Sequence, residues 1–449
     1  MIETATHRRR VGVAAKHTVL KSSRFQYFRF AILDFGFRQY NFPDYHASET
    51  VPRGTAWHLM ATSAPAEDAL QPPTPQSGFP AGGRLVSLDV FRGLTIAAMI
   101  LVNDAGDWQH VYRPLEHAEW NGWTPTDLVF PFFLFIVGVS MTLSFTARQS
   151  AGATRGSLLV HSIKRSLLIF AIGLALNAVP FFFVPGHHLR IYGVLQRIAI
   201  VYLISSIVVL YLGRAGRLAT ILFCLLGYWA ALKLIPVPGY GAGNLTMDGD
   251  LVGFIDRKLF YEHLWVQHRF DPEGLLSNIP AVATCLLGVF AGDFLRSGRT
   301  AVAKARGLLL AGVIGLVLGK IWGLAFPINK NLWTSSYVVF TAGFALILLS
   351  LCYWLVDIRG WKGWSKPFQM MGMNPLLLYA LSMLVGEASY IMRVRSSGKL
   401  VPLKLYVFSH FYAPIASPYN ASALYGLSYV IAFLILGWIL YRWKIFVKV

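Results

Sequence analysis

From residue 84 to the C-terminus, apolar residues come in unbroken runs of about twenty, separated by short polar connections. A run of that length, wound as a helix, spans the roughly 30 Å hydrocarbon core of a bilayer. The runs are continuous rather than alternating. They therefore read as helices, whose backbone polar groups bond within the segment, and not as barrel strands. Ten spans are predicted, near 86–103, 125–146, 160–180, 191–212, 217–235, 275–295, 306–326, 335–356, 368–390 and 421–442. The fold class is an all-α polytopic membrane protein, a bundle of about ten transmembrane helices.

Residues 1–83 have another texture. "HRRRVGVAAKH" is basic, and "SAPAEDALQPPTPQSGFPAGG" is rich in Pro, Gly and Ser with no sustained apolar face. That composition predicts a disordered extension ahead of a membrane domain at 84–449. No uninterrupted apolar segment precedes a small-residue cleavage site, so a secretory signal is not expected. A start of translation at Met60 is the simplest reading of the upstream residues.

Composition agrees with the pattern: 55% of residues are hydrophobic and 14% charged. Soluble domains carry about a quarter charged residues. The net charge of +19, from 40 Lys and Arg against 21 Asp and Glu, points to basic inner loops rather than to nucleic acid. Arg148, Arg155, Lys164, Arg165, Arg214, Arg217, Arg296, Arg299, Lys304, Arg306, Arg359, Lys362, Lys366, Arg442 and Lys444 all fall on one side of the predicted topology, which places both termini in the cytoplasm. The 391–420 loop is the exception, with Arg393, Arg395, Lys399 and Lys404 on the outer side. Cys224, Cys285 and Cys352 lie in apolar runs and read as small buried hydrophobes, so neither a disulfide framework nor a metal site is expected.

Polar residues inside spans are costly and face a cavity or a partner. Asp89 and Arg92 lie three apart on the first helix, either as an ion pair fixing it at the interface or as a functional pair. Asn103 ends that helix, Asp127 begins the second, and Gln196 and Arg197 lie in the fourth. Asn329, Lys330, Trp333 and Ser336 gather at the outer start of the eighth, and Asn374 precedes Pro375 in the ninth, where it satisfies a kinked backbone. Gly288 with Gly292, and Gly315 with Gly319, have the spacing of close helix packing. The acids of the long outer loop, Asp248, Asp250, Asp256, Glu262 and Asp271, either attract a cationic solute or form a solvated acidic loop.

The stretch "HAEWNGWTPTDLVFPFFLFIVG" carries the strongest chemical signal. His117 stands between Glu116 and Glu119, ahead of Trp120, Asn121, Gly122 and Trp123. An Asn-Gly turn folds the loop back toward Asp127, bringing an imidazole, an amide and a carboxylate into a small volume. Imidazole suits proton transfer near neutral pH. Indole faces suit sugar rings, although an interfacial aromatic belt also accounts for tryptophans at this level.

The motifs "SLDVFRG", "VND", "HAEWNGWTPTDLVFPFFLFIVG", "GVLQRIAI", "GYGAGNLT", "FIDRKLF", "DPEGLLSNIPA", "PINKNLWTSSYV" and "GMNP" occur in that order. Together they resemble the heparan-α-glucosaminide N-acetyltransferase family, in particular its bacterial homologues, from residue 84 to the C-terminus. The resemblance implies transfer of acetyl from cytoplasmic acetyl-CoA, across a bacterial inner membrane, to the amine of a glucosamine-type sugar. It implies no metal and a homodimer. It makes His117, in "HAEWNG", the catalytic histidine and Asn103, in "LVND", the active-site asparagine. It assigns Arg84, Arg92, Lys448 and Ser336 to the CoA. We add Asp127 as the group that orients the imidazole, and Trp120, Asn121, Trp123 and Lys330 as the acceptor's surroundings. The rival reading is an amino-sugar transporter without acyl-transfer chemistry.

Overall fold

The computed structural model describes residues 85–266, 269–396 and 398–447. The expectations for residues 1–83, for Met60, and for Arg84 and Lys448 lie outside the described residues. The described chain is helical apart from two short hairpins. Its long helices are α1 (Val86–Asn103), α2 (Val129–Ser150), α3 (Arg155–Phe183) and α4 (Val194–Tyr211). Next, α5 (Arg214–Leu222) runs through a π-helical turn into α6 (Tyr228–Leu234), and a short outer helix, α7 (Leu251–Phe260), follows. Then come α8 (Asn278–Leu295), α9 (Ala301–Ala325), α10 (Ser335–Cys352), α11 (Lys366–Met373), α12 (Pro375–Ile391), α13 (Leu403–Val407) and α14 (Pro418–Arg442). Among the described residues, nine segments are long and apolar enough to cross a membrane; the bent pair α11–α12 makes a tenth. The protein is a multi-pass, all-α membrane protein.

The first span falls at 86–103, where the apolar pattern puts it. The third and seventh start earlier than hydropathy alone indicates, because Thr154 and Thr300 cap them, accepting bonds from Ser157 N and Ala303 N. The ninth is not continuous. It breaks by 85° at Asn374. The residue before a proline resists the helical conformation, and the Asn374 side chain fills the gap. Its Nδ2 donates to Ile445 O at 2.9 Å, and its Oδ1 accepts from Val447 N at 2.9 Å.

Helices α2 and α8 form the centre, each with 72% of its spanning window buried, whereas α3 and α9 bury 17% and present their apolar sides outward, as lipid-facing helices do. Helix α2 crosses α8 at backbone contact. A Cβ on Gly138 would stand 1.9 Å from Cys285 O, and one on Gly288 would stand 2.0 Å from Phe135 O. The small-residue spacing read at Gly288 is thus a packing feature. Gly315 and Gly319 serve likewise, against Gly343 and Phe340 of α10. All three cysteines are buried and free.

The connections 104–124, 184–193, 235–277, 326–334 and 392–417 share one face of the bundle, opposite the basic loops; this face is called outer. Over it, β1 (Pro236–Val237) and β2 (Gly241–Ala242) form a hairpin that leads to α7. Val237, Leu251 and Val252 pack with Tyr228, Phe326 and Leu332, and Trp120 lies against that cluster. A second hairpin, β3 (Arg393–Ser396) with β4 (Lys399–Pro402), lies in the basic outer loop. One cation of that loop is structural: Lys404 is buried, donates to Tyr390 Oη at 2.8 Å and stands 4.6 Å over the Tyr390 ring.

Candidate active site

The site is built on the short turn that opens α2. Thr124 and Asp127 form a reciprocal capping box with Pro125 at the first helical position. That fixes a buried carboxylate at the mouth of the bundle. Asp127 Oδ2 accepts from Ala118 N at 3.0 Å and Thr124 N at 3.0 Å, and Thr124 Oγ1 lies 3.2 Å from it. Asp127 Oδ1 faces His117 Nδ1 at 2.6 Å. The loop carrying His117 is tied to the same turn, with Thr124 Oγ1 donating to Glu116 O at 2.5 Å and Thr126 Oγ1 to Pro114 O at 3.1 Å. Gly122 takes φ +102° so that its N–H reaches Ile328 O at 2.8 Å. Only glycine adopts that conformation without strain. An imidazole that donates Nδ1–H to a carboxylate keeps a lone pair on Nε2. Half of the His117 side chain is exposed on the outer face, within reach of a solute.

The α9–α10 connection delivers a second charge. Asn329 Oδ1 accepts from Leu332 N at 2.9 Å, and Thr334 Oγ1 accepts from Asn329 N at 3.1 Å, closing a tight turn that projects Lys330. Lys330 Nζ lies 3.0 Å from His117 Nδ1 and 3.1 Å from Nε2. An in-plane atom at both distances would collide with Cε1, so the ammonium stands over the ring face and leaves the in-plane lone pair open. It is 3.8 Å from Asp127 Oδ1. Burial holds the Lys330 ammonium below the ordinary lysine value, with the Asp127 charge opposing.

The same turn forces Trp333 to φ +51°, a strained backbone for a bulky residue. Its ring packs on Phe130 and Tyr337, Nε1 donates to Thr284 Oγ1 at 3.2 Å, and the fully buried Arg197 guanidinium lies 4.7 Å over it. Arg197 also donates to Ser277 Oγ. Tyr337 Oη donates to Asp127 O at 2.5 Å. Arg197 and Trp333 stand out in the sequence without a role in the site, and Tyr337 does not stand out at all. "SYV" in the eighth-span motif was the signal for Tyr337, but its partner is a backbone carbonyl, which leaves no trace in residue types.

The other expected residues scatter more. Asn121 Oδ1 accepts from Asn329 Nδ2 at 3.1 Å, which joins the two outer loops. Trp120 Nε1 donates to Leu245 O at 2.8 Å and its ring meets Phe270 edge-on, while Trp123 packs on Phe340 and Phe344. Asn103 is the exposed last residue of α1, on the same face as His117 but not hydrogen-bonded to it. Its neighbour Asp104 is pushed up to about 7 by burial, with Lys404 opposing. Ser336 is buried and donates to Phe326 O at 2.5 Å. Arg92 bonds Asp89 Oδ1 at 2.9 Å, Gly372 O at 3.0 Å and Ser140 Oγ at 2.7 Å, so the Asp89 pair knits α1 to α2 and α11. The outer acids bond to neighbouring groups, Asp250, Asp256 and Asp271 as buried residues and Asp248 and Glu262 as exposed ones. Asp248 pairs with Arg269 at 2.9 Å, Asp271 with Arg190 at 2.6 Å and Glu262 with His188 at 3.4 Å. Asp250 caps α7, and Asp256 Oδ1 accepts from Leu275 N at 3.0 Å. Among the described residues no group of three or more His, Cys, Asp or Glu is placed to hold a metal.

The described chain is a multi-pass helical membrane protein with a histidine–carboxylate pair at the outer mouth of its bundle. Residues 84–320 match the family model described as "Heparan-alpha-glucosaminide N-acetyltransferase, catalytic", and the chain belongs to that family. The human heparan-α-glucosaminide N-acetyltransferase is 32% identical over 350 residues, covering 66% of this chain and 52% of that protein. The mouse protein of the same name is 32% identical over 364 residues, covering 69% and 54%. The chain thus spans about half the length of the curated relatives it matches.

Proposed function

We propose that the protein is a transmembrane N-acetyltransferase of a bacterial inner membrane, moving acetyl from cytoplasmic acetyl-CoA to the amine of a glucosamine-type sugar on the outer side. The observation that carries this reading is the 2.6 Å pair between His117 Nδ1 and Asp127 Oδ1 on the outer face, in a chain of this family. Asp127 holds the proton on Nδ1, so Nε2 accepts a proton from the attacking amine as its nitrogen bonds the thioester carbonyl. The tetrahedral oxyanion then collapses, the C–S bond breaks, and CoA leaves as a thiolate that takes up a proton. General-base help of this kind contributes about 10²–10⁴-fold. In the alternative order, Nε2 itself receives the acetyl and passes it to the amine.

Asn103, at the outer end of α1, is the donor we assign to the oxyanion. Arg84, Arg92 and Lys448 serve the CoA phosphates on the inner side, as basic side chains do for polyanions, and Ser336 serves the pantetheine arm. Trp120, Asn121, Trp123 and Lys330 border the acceptor. A cation over the imidazole face disfavours an approaching ammonium and favours the free amine, the form that reacts. A homodimer is the expected assembly.

The transporter reading draws support from the 85° break between α11 and α12, since carriers use broken helices. That break, however, is satisfied by the chain's own C-terminal backbone on the inner side. One assay separates the two. Purified protein with acetyl-CoA is expected to release CoA only when glucosamine is present, and His117→Ala to lose at least about 100-fold of that rate. Glucosamine uptake into vesicles that His117→Ala leaves unchanged, without CoA release, would establish the carrier instead.

A further inference from the structure

The inner face holds a cavity of about 290 Å³ between the ends of α2, α3, α4, α5 and α8. It lies at the end of the bundle opposite His117 and shares no residue with the site described above. Three arginines line it, Arg155, Arg217 and Arg296, against one acid, Asp293. Arg217 is already committed: it pairs with Asp293 at 3.2 Å and donates to Leu212 O at 3.1 Å and Val209 O at 2.7 Å, closing the end of α4. Asp293 is thereby neutralised. The side chains of Arg155 and Arg296 make no hydrogen bond or ion pair among the described residues, although both face the cavity. Thr146 and Gln149 add polar groups to the wall, and Phe145, buried, gives it an apolar floor.

Basic residues on an inner face are expected of any membrane protein. A concave site with two uncommitted guanidinium groups and a neutralised acid is more specific. Guanidinium matches a phosphate through two parallel N–H donors, and pockets of this kind between inner helix ends suit anionic headgroups. The rim decides between a lipid and a soluble phosphate. Tyr211 and Leu212 line the cavity and are exposed at the inner end of a membrane span, the level at which a bilayer's headgroups meet its acyl chains. We propose that this cavity binds the phosphate headgroup of an anionic phospholipid of the inner leaflet, held by Arg155 and Arg296, and that the lipid clamps the inner ends of α2, α4 and α8.

The test is native mass spectrometry of the full chain in detergent, with equal amounts of phosphatidylglycerol and phosphatidylcholine. The wild type is expected to retain one phosphatidylglycerol in preference. Arg155→Gln with Arg296→Gln should cut that retention about tenfold, to the phosphatidylcholine level, while Lys362→Gln with Lys366→Gln, outside the cavity, leaves it intact. Gln149→Arg adds a donor to the wall and should strengthen retention; this arm decides the matter even if the double variant misfolds. Equal retention of the two lipids, a double variant that keeps its lipid, or a Gln149→Arg protein with no gain overturns the proposal. Displacement of the lipid by free CoA or inorganic phosphate, dependent on Arg155 and Arg296, would assign the cavity to a soluble phosphate and overturn the lipid assignment.

Discussion

Asp127 is the residue on which the geometry turns, and its two oxygens have separate duties. Oδ2 holds the loop through Ala118 and Thr124, and Oδ1 holds the imidazole. Asp127→Asn separates those duties. The asparagine carbonyl can occupy the Oδ2 position and keep the loop, while its NH₂ faces His117 Nδ1. The ring must then accept at Nδ1 and carry its proton on Nε2, which removes the base. The variant is expected to fold and to lose about 10²–10⁴-fold in acetyl transfer, as measured by CoA release beside the wild type. Near-normal transfer would show that tautomer control by Asp127 is not needed. His117 and Asp127 were legible because loop, turn and cap residues lie within eleven positions of one another, so local rules bring them together. The position of Lys330 over the ring was not. It comes from a turn more than two hundred residues away, and no local pattern encodes that contact.

Helices were legible where burial in lipid dictates them, and less so where a polar residue intervenes. The kink expected at Asn374–Pro375 is present, but its size is not written in hydropathy: the chain turns by 85° there, and the Asn374 amide bonds the C-terminal tail. Helix crossings follow from glycine spacing. Gly288→Val would place a Cβ against Phe135 O, where the present separation from an ideal Cβ is 2.0 Å. We expect α2 and α8 to part at a cost of about 1–3 kcal/mol or more, seen as a lower thermal midpoint, with Gly298→Ala, in open space, as the neutral control. In the outer cap, burial pushes Asp256 from 3.8 up to about 7. Between those values the folded cap holds a proton that the unfolded chain has released, so stability falls as pH rises, by about 1.4 kcal/mol per pH unit from this group. Hydrogen exchange in α7, corrected for its intrinsic pH dependence, should therefore show greater protection at pH 5.5 than at pH 8. Asp256→Asn should shrink the difference to the smaller part that Asp250, raised to about 6 at the cap of the same helix, contributes; a variant with the wild-type slope would assign it to another group.

At the scale of the whole molecule, the distribution of charge and the location of the chemistry point to opposite faces. The basic loops mark one side and His117, Asp127 and Lys330 gather on the other. That the basic loops share one side was legible because lysine and arginine bias is a property of composition and needs no contacts. The basic 392–417 loop stays an exception: Lys404 is a buried structural cation, while Arg393, Arg395 and Lys399 are exposed on the outer face. The partition underlies what we propose, that the acetyl donor and the acceptor approach the same imidazole from different sides of the bilayer. The direct measurement uses sealed vesicles of oriented protein, with acetyl-CoA confined to the face of the basic loops and labelled glucosamine to the face of His117. N-acetylglucosamine is expected to form on the His117 side in wild-type vesicles and not in His117→Ala vesicles. Product that forms only when both substrates share one side, or that His117→Ala forms at the wild-type rate, would contradict the account.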